Sequence, residues 1–399
     1  MVSRPVYLEK IRPYIDKPLV KVLTGIRRCG KSTVLEMVRD ELRFRGVAEQ
    51  ALVYLNFESM THSEINTSVR LYDFVRDRVQ PGTRTYLFLD EIQEVEAWER
   101  AIDSFLVDFD CDVYLTGSNS RLLSGELATY LAGRYVEIPV STLSYAESLE
   151  FAAARGKQGD FVTFLRLGGF PVLHTSDYSF DQAYQIVGDL YASATLRDIV
   201  QRHKIRNLAL LEKIVKFAFE NVGNLFSAKK VADYFKSQQR KVDIETVYAY
   251  LAALEQAFIL YKVPRYNIQG KEILAINEKY YLGDPALKFA VLGFRDRDLG
   301  GTLENLVYLE LRRRGYQVFV GIIGDKEIDF VALRKDEKVY VQVAYKLADE
   351  NTVAREFGAF AAVRDHYPKY VVTMEEFWQD NVDGVRHRNL ADFLLMDSY

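Results

Sequence analysis

The sequence predicts an α/β fold: a mostly parallel sheet with helices on both faces, then a helical segment and a smaller α/β segment. Three observations carry this. Through residue 142, short apolar runs alternate with stretches whose apolar residues recur at helical spacing, the pattern of parallel strands joined by crossover helices. A glycine-rich turn stands between the first such run and the first helix. From residue 208 the order changes to three amphipathic helices followed by two β-rich runs, and a further helix and strands follow.

The chain has 399 residues, too many for one compact core, so several domains are expected. With 49% hydrophobic and 13% aromatic residues it should fold throughout. A net charge of −4 gives no overall polyanion-binding signature, so any nucleic-acid contact needs a local patch. The two cysteines are Cys29 and Cys111. Cys29 lies inside the glycine-rich turn, which argues against a structural disulfide and for a reducing cytoplasm. The first residues lack a signal-peptide core and no run of eighteen apolar residues occurs, so a cytoplasmic chain without a membrane span is expected.

Residues 6–14 carry apolar side chains at helical spacing and should pack beside the glycine-rich turn. Residues 19–23 form the first strand-like run. Gly25, Ile26, Arg27, Arg28, Cys29, Gly30, Lys31, Ser32 and Thr33 then spell a complete G-x-x-x-x-G-K-[ST] phosphate loop. Its glycines permit the tight turn that aims successive amides at phosphate oxygens. Lys31 can reach the β- and γ-phosphates of ATP, and the Ser32 hydroxyl can ligate Mg2+. The helix opening at Lys31 adds the positive end of its dipole. Strand, loop and helix in this order define a P-loop NTPase sheet.

The second strand spans 52–57, and the helix at 71–79 is stopped by Pro81-Gly82. Residues 86–91 are four apolar residues followed by Asp90 and Glu91, the form of a Walker B strand. Asp90 would hold Mg2+, and Glu91 would orient and polarise the attacking water. A buried strand ending in an acidic helix cap would look similar, but the spacing of about 60 residues after the phosphate loop favours the catalytic pair. At the end of the next strand, 112–119, Thr116, Ser118 and Asn119 compete for a γ-phosphate sensor role or cap the following helix. Arg134 opens the last strand of this region. It is a candidate catalytic arginine acting on a neighbouring subunit of a homo-oligomer, or else the partner of a surface acid.

These phrases together resemble the prokaryotic AAA-like ATPases that carry a C-terminal domain of uncharacterised function. The matching stretches are Thr24 to Ser32, Leu89-Asp90-Glu91-Ile92-Gln93, Leu115-Thr116-Gly117-Ser118-Asn119, Leu131-Ala132-Gly133-Arg134 and Gly168-Gly169-Phe170-Pro171. The resemblance covers essentially the whole chain. It implies ATP binding, slow hydrolysis, and a C-terminal part built of a winged helix and a nuclease-like fold. It also implies that Asn56 is a polar partner of the Walker B glutamate.

The domain boundaries that follow are 1–142 for the ATPase core, 143–206 for a helical lid, 207–290 for a winged-helix domain and 291–399 for a restriction-endonuclease-like domain. In the lid, helical patterns at 144–154, 160–168 and 181–198 lead to a basic cluster of Arg197, Arg202, Lys204 and Arg206. In the winged-helix segment, twelve Lys or Arg face nine Asp or Glu, a net of +3. The first turns of its third helix carry Asp243 and Glu245 and no base. The basic residues are instead Lys229, Lys230, Lys236, Arg240 and Lys241. Double-stranded DNA is therefore a candidate partner through backbone contacts, and a packing role is favoured over base reading.

The last segment pairs a helix starting near Thr302 with strands at 318–320, 327–332 and 339–346. This order resembles the restriction-endonuclease-like fold, and by that match Glu304, Asp329 and Gln342 take its metal positions. The fold's lysine position is Ala344. Lys346 shares its strand face but lies roughly 6–7 Å further along. One firm acid without an adjacent lysine is a poor phosphodiesterase, so an inactive docking domain is expected. The overall expectation is an ATP hydrolase that couples nucleotide state to movement of its C-terminal domains and to an unknown protein partner. The alternatives are a nucleotide-gated DNA-binding regulator and an ATP-dependent nuclease.

Overall fold

In the computed structural model, which describes residues 2–120, 131, 133–201, 203–237, 242–295, 299–376 and 378–399, the early apolar runs pair as a parallel sheet. Ala132, Arg202, Arg240 and Lys241 lie outside the described residues, and the Arg197 side chain is not described either. The chain forms two compact units, residues 1–140 with 256–258 and residues 141–255 with 259–399. Among the described residues no helix is long and apolar enough to cross a membrane.

The first unit opens with α1 (Pro5–Ile11), followed by β1 (Val20–Thr24) and α2 (Lys31–Phe44). Next come β2 (Leu52–Asn56), α3 (Ser68–Arg76), β3 (Thr85–Asp90), α4 (Trp98–Asp108), β4 (Cys111–Gly117) and β5 (Tyr135–Pro139). Among the described residues the sheet has five strands in the order β2-β3-β4-β1-β5, and every pairing is parallel. Buried valines and leucines of β1 to β4 form the core with Trp98, Ile102 and Phe105 of α4. Strands covered on both faces read as unbroken apolar runs, which is why the sequence exposed them.

Inserting β4 between β3 and β1 is the step that builds a crevice. Register places Asn56 beside Asp90, and Leu23 and Thr24 beside Thr116 and Gly117. The carboxyl ends of β1 to β4 therefore lie side by side. Ligands of open parallel sheets bind at this edge, where the strand order reverses.

The opposite edge carries a buried ionic knot. Lys21 and Asp112 pair with neither side chain exposed, and burial pulls the lysine's pKa down against the pull of Asp112. Asp112 also accepts the Asp16 amide at 2.9 Å and the Tyr114 hydroxyl at 2.8 Å. Tyr114 stacks on Phe88, ring centroids 5.0 Å apart.

The second unit begins with helices Tyr145–Ala154, Phe161–Leu167 and Phe180–Ala194, each opened by a side-chain cap from Ser144, Asp160 or Ser179. The Gly168-Gly169 turn is tied to Asp284, which accepts the Gly169 amide at 2.8 Å and the Ala286 amide at 2.9 Å. Burial pushes this carboxyl up to about 6. Helices Leu208–Glu220, Ala228–Ser237 and Ile244–Gln256 follow, with the two-residue β6 (Leu225–Phe226) between the first two.

The ribbon after them is longer than its sequence pattern indicated: β7 is Leu260–Asn267 and β8 is Glu272–Leu282. It continues into β9 (Gln317–Ile323), β10 (Lys326–Arg334), β11 (Glu337–Val343), β12 (Lys369–Thr373), β13 (Asn381–Val382) and β14 (Val385–Asn389). Among the described residues these make one nine-stranded sheet in the order β13-β14-β12-β11-β10-β9-β7-β8-β6. The join is a parallel pairing of Arg265, Tyr266 and Asn267 with Val320, Gly321 and Ile322.

Removing one member of a buried ion pair strands the other charge. Asp112→Ala is therefore expected to destabilise the protein by about 3–5 kcal/mol. The double replacement of Lys21 and Asp112 by Met and Leu should cost much less. Urea unfolding of the full chain checks both.

Candidate functional site

The phosphate loop leaves the end of β1 and closes onto α2. At Gly25, with φ of 147°, an added Cβ would stand 2.0 Å from the Val140 carbonyl oxygen, so a side chain is excluded. The Cys29 thiol donates to the same carbonyl at 3.2 Å. Both cysteines are free thiols, and both are buried. Helix α2 starts without a side-chain cap, so the amides of its first turn face the loop, as an anion site requires. Lys31 is buried and arches back over the loop, donating to the Gly25 carbonyl at 3.0 Å and the Ile26 carbonyl at 3.3 Å.

Across the crevice, Asp90 ends β3 fully buried. Its Oδ1 accepts the Ser32 hydroxyl at 3.1 Å and the Thr116 hydroxyl at 2.5 Å. Its Oδ2 accepts the Tyr54 hydroxyl at 3.0 Å and the Asn56 amide at 3.1 Å. Asn56 thus holds Asp90 rather than Glu91. Burial pushes the Asp90 carboxyl up, and the neighbouring Glu91 charge adds to this against the pull of the hydroxyls.

Glu91 follows in a left-handed backbone conformation, φ 54°, fixed by its amide donating to Thr116 Oγ1 at 2.8 Å. The turn separates the two acids, so Asp90 faces Ser32 and Glu91 faces Lys31, whose Nζ lies 3.8 Å from Glu91 Oε1. Burial would raise the Glu91 carboxyl. The Lys31 charge and the Gln93 amide outweigh it and hold the group below its ordinary value. Glu91 is therefore an anion at neutral pH.

Of the three polar residues at the end of β4, Thr116 touches both acids, while Ser118 and Asn119 are buried. Arg27 pairs with Glu58. Arg134 pairs with Asp103 at 2.5 Å and is partly exposed. Both arginines thus sit on carboxylates. The Ser32 hydroxyl and the Asp90 carboxylate, 3.1 Å apart, are hard oxygen ligands of the kind Mg2+ takes.

A second polar cluster lies in the other unit, in a cavity of about 700 Å³. It holds Glu304, Asp329 and Gln342, as the sequence predicted, but the lysine among them is Lys279 of β8. Its Nζ lies 2.9 Å from Glu327, 3.1 Å from Asp329 and 3.4 Å from Glu304. Lys346 falls beyond the end of β11 and is exposed. Gln342 accepts the Asp329 amide at 3.1 Å and donates to Glu356 at 2.8 Å. Among the described residues no group of three or more His, Cys, Asp or Glu is arranged to hold a metal ion, and here the Lys279 ammonium stands among the acids. Sequence reasoning missed Lys279 because it is 25 to 63 residues from the others; its one signal is a lysine inside the strand-like run 278–282.

Residues 17–149 match the AAA domain model, and residues 158–298 match a domain of unknown function. The parallel sheet and the phosphate loop at its carboxyl edge agree with an AAA domain in this part of the chain. The chain belongs to the family of an uncharacterised protein of Haemophilus influenzae, to which it is 35% identical over 400 residues, 99% of either chain. An uncharacterised protein of Methanocaldococcus jannaschii, MJ1544, is 29% identical over 363 residues, covering 87% of this chain and 79% of its own. The Walker-type ATPase paby2304 of Pyrococcus abyssi shares the fold, with a TM-score of 0.51 at 14% identity over 73% of this chain and 96% of its own.

Burial raises the Glu304 carboxyl well above its ordinary value, and Asp329 adds to this, against Lys279. The folded state then keeps a proton that the unfolded chain releases. The stability it contributes is full below the usual carboxylate range and falls as pH rises toward the raised value. Glu304→Gln, which preserves shape and the Tyr281 hydrogen bond, should flatten that part of the profile in urea unfolding measured against pH.

Proposed function

We propose that the chain hydrolyses ATP to ADP and phosphate with Mg2+ and uses the change of nucleotide state to move its C-terminal part. One observation carries the reading. Loop and strand deliver two matched contacts to one edge of the sheet, Ser32 to Asp90 at 3.1 Å and Lys31 to Glu91 at 3.8 Å. A structural ion pair explains one such contact; the alternation of hydroxyl–acid and ammonium–acid across a phosphate loop is what phosphoryl transfer to water requires.

In this scheme the amides of residues 26–33, which include the first turn of α2, bind the phosphates. Lys31 leaves the Gly25 and Ile26 carbonyls and turns its ammonium to the β- and γ-phosphate oxygens. Ser32 and Asp90 hold Mg2+, whose charge offsets that of the phosphates when bound. Glu91, kept ionised beside Lys31, accepts a hydrogen bond from the attacking water and orients it. Thr116 fixes the turn that keeps the two acids apart. Arg134 acts from a neighbouring copy after leaving Asp103, and its removal should lower turnover without weakening ATP binding.

Lys31→Ala is expected to abolish ATP binding. Glu91→Gln should bind ATP as the parent does and lose about a hundredfold or more of turnover. Equilibrium binding of a fluorescent ATP analogue, beside steady-state phosphate release, measures both; parental turnover in the two variants would overturn the assignment.

A further inference from the structure

Arg4 belongs to none of the motifs above, yet it is only 1% exposed. Its guanidinium donates to the Cys29 carbonyl at 2.8 Å and to the Tyr7 hydroxyl at 3.3 Å, and it lies 4.6 Å over the Tyr7 ring. A guanidinium is costly to bury, and this one is spent on the backbone of the phosphate loop.

The contact fixes a direction. A trans peptide is planar, so the Cys29 carbonyl and the Gly30 N–H point opposite ways. Holding the carbonyl toward the N-terminal segment aims the Gly30 amide away from it, into the hollow of the loop. The two residues flanking Cys29 are in the left-handed region, Arg28 at φ 65° and Gly30 at φ 103°, a conformation glycine adopts freely and other residues seldom. Lys31 also braces the loop, holding the Gly25 and Ile26 carbonyls that it would release to reach phosphate. Arg4 stands outside the loop, and that exchange does not require it to leave the Cys29 carbonyl.

We propose that Arg4 is a positioning residue for the nucleotide: it clamps the Cys29–Gly30 peptide so that the Gly30 amide faces the diphosphate portion of ATP or ADP. This rests on the ATP-binding reading above. Arg4→Gln should weaken ATP and ADP by the same factor, about tenfold, with kcat within about twofold of the parent. Arg4→Lys retains one donor for the Cys29 carbonyl but not the fork, and should fall about threefold short of parental affinity.

The test is titration of both nucleotides into the folded full-length parent, R4Q, R4K and the Lys31→Ala control, with circular dichroism to establish folding and phosphate release to separate KM from kcat. Equal losses for ATP and ADP at unchanged kcat, partly restored in R4K, support the proposal. Parental affinity in R4Q while the Lys31→Ala control loses binding overturns it and leaves the ATP reading standing. Loss of kcat with KM unchanged also overturns it. A parent that binds neither nucleotide defeats the ATP reading itself, and this proposal with it. Should R4Q not fold, R4K decides by the same criterion, parental affinity counting against the clamp.

Discussion

The first unit depends on how one buried carboxylate is held. Asp90 takes four hydrogen bonds, two on each oxygen, from Ser32 at the start of α2, Thr116 at the end of β4, and Tyr54 and Asn56 in β2. A carboxylate away from water is tolerable only when so satisfied. Three neighbours of β3 are thereby tied to one point at the sheet's carboxyl edge, and the positions of the phosphate loop and of Glu91 follow from that point. Burial still pushes Asp90 up, against the pull of these hydroxyls.

The basic residues around the loop show the complementary condition. Arg27 rests on Glu58 and Lys31 on backbone carbonyls beside Glu91. Each is already neutralised, so a triphosphate gains only the difference between its own contacts and those it replaces. Such exchange favours a ligand that offers several phosphate oxygens at once. It also keeps the arginine and the lysine in defined places beforehand, limiting the ordering that binding must impose.

Much of this was legible in the sequence because its geometry is local. The phosphate loop joins one strand to one helix, and Asp90 and Glu91 are adjacent residues on a fully buried strand, so motif and apolar run located the site. Thr116 was among three candidates; what singles it out is register, Leu23 against Thr116, which no spacing encodes. Arg4 was invisible because a lone arginine near a chain start ordinarily faces water. Lys279 escaped because its three acids lie 25 to 50 residues further along the chain. They come from α-helix Leu299–Arg313 and from β10. The three helices and the two-stranded ribbon were read from capping residues and apolar runs, but the extension of that ribbon was not, since Arg265 to Asn267 are half-polar and are held in strand by pairing with both β8 and β9.

That extension bears on how the second unit came to be a single body. A two-stranded ribbon left at the end of a helical segment would have an exposed outer edge, and exposed edges invite pairing with other chains. Here the outer edge of β7 is occupied by β9 of the same chain. A fragment ending near residue 290 would bare that edge, and a fragment beginning there would bare the edge of β9. Splitting, grafting or recombining these segments would therefore produce sticky half-sheets, and heritable change in either half has to be accommodated by the other.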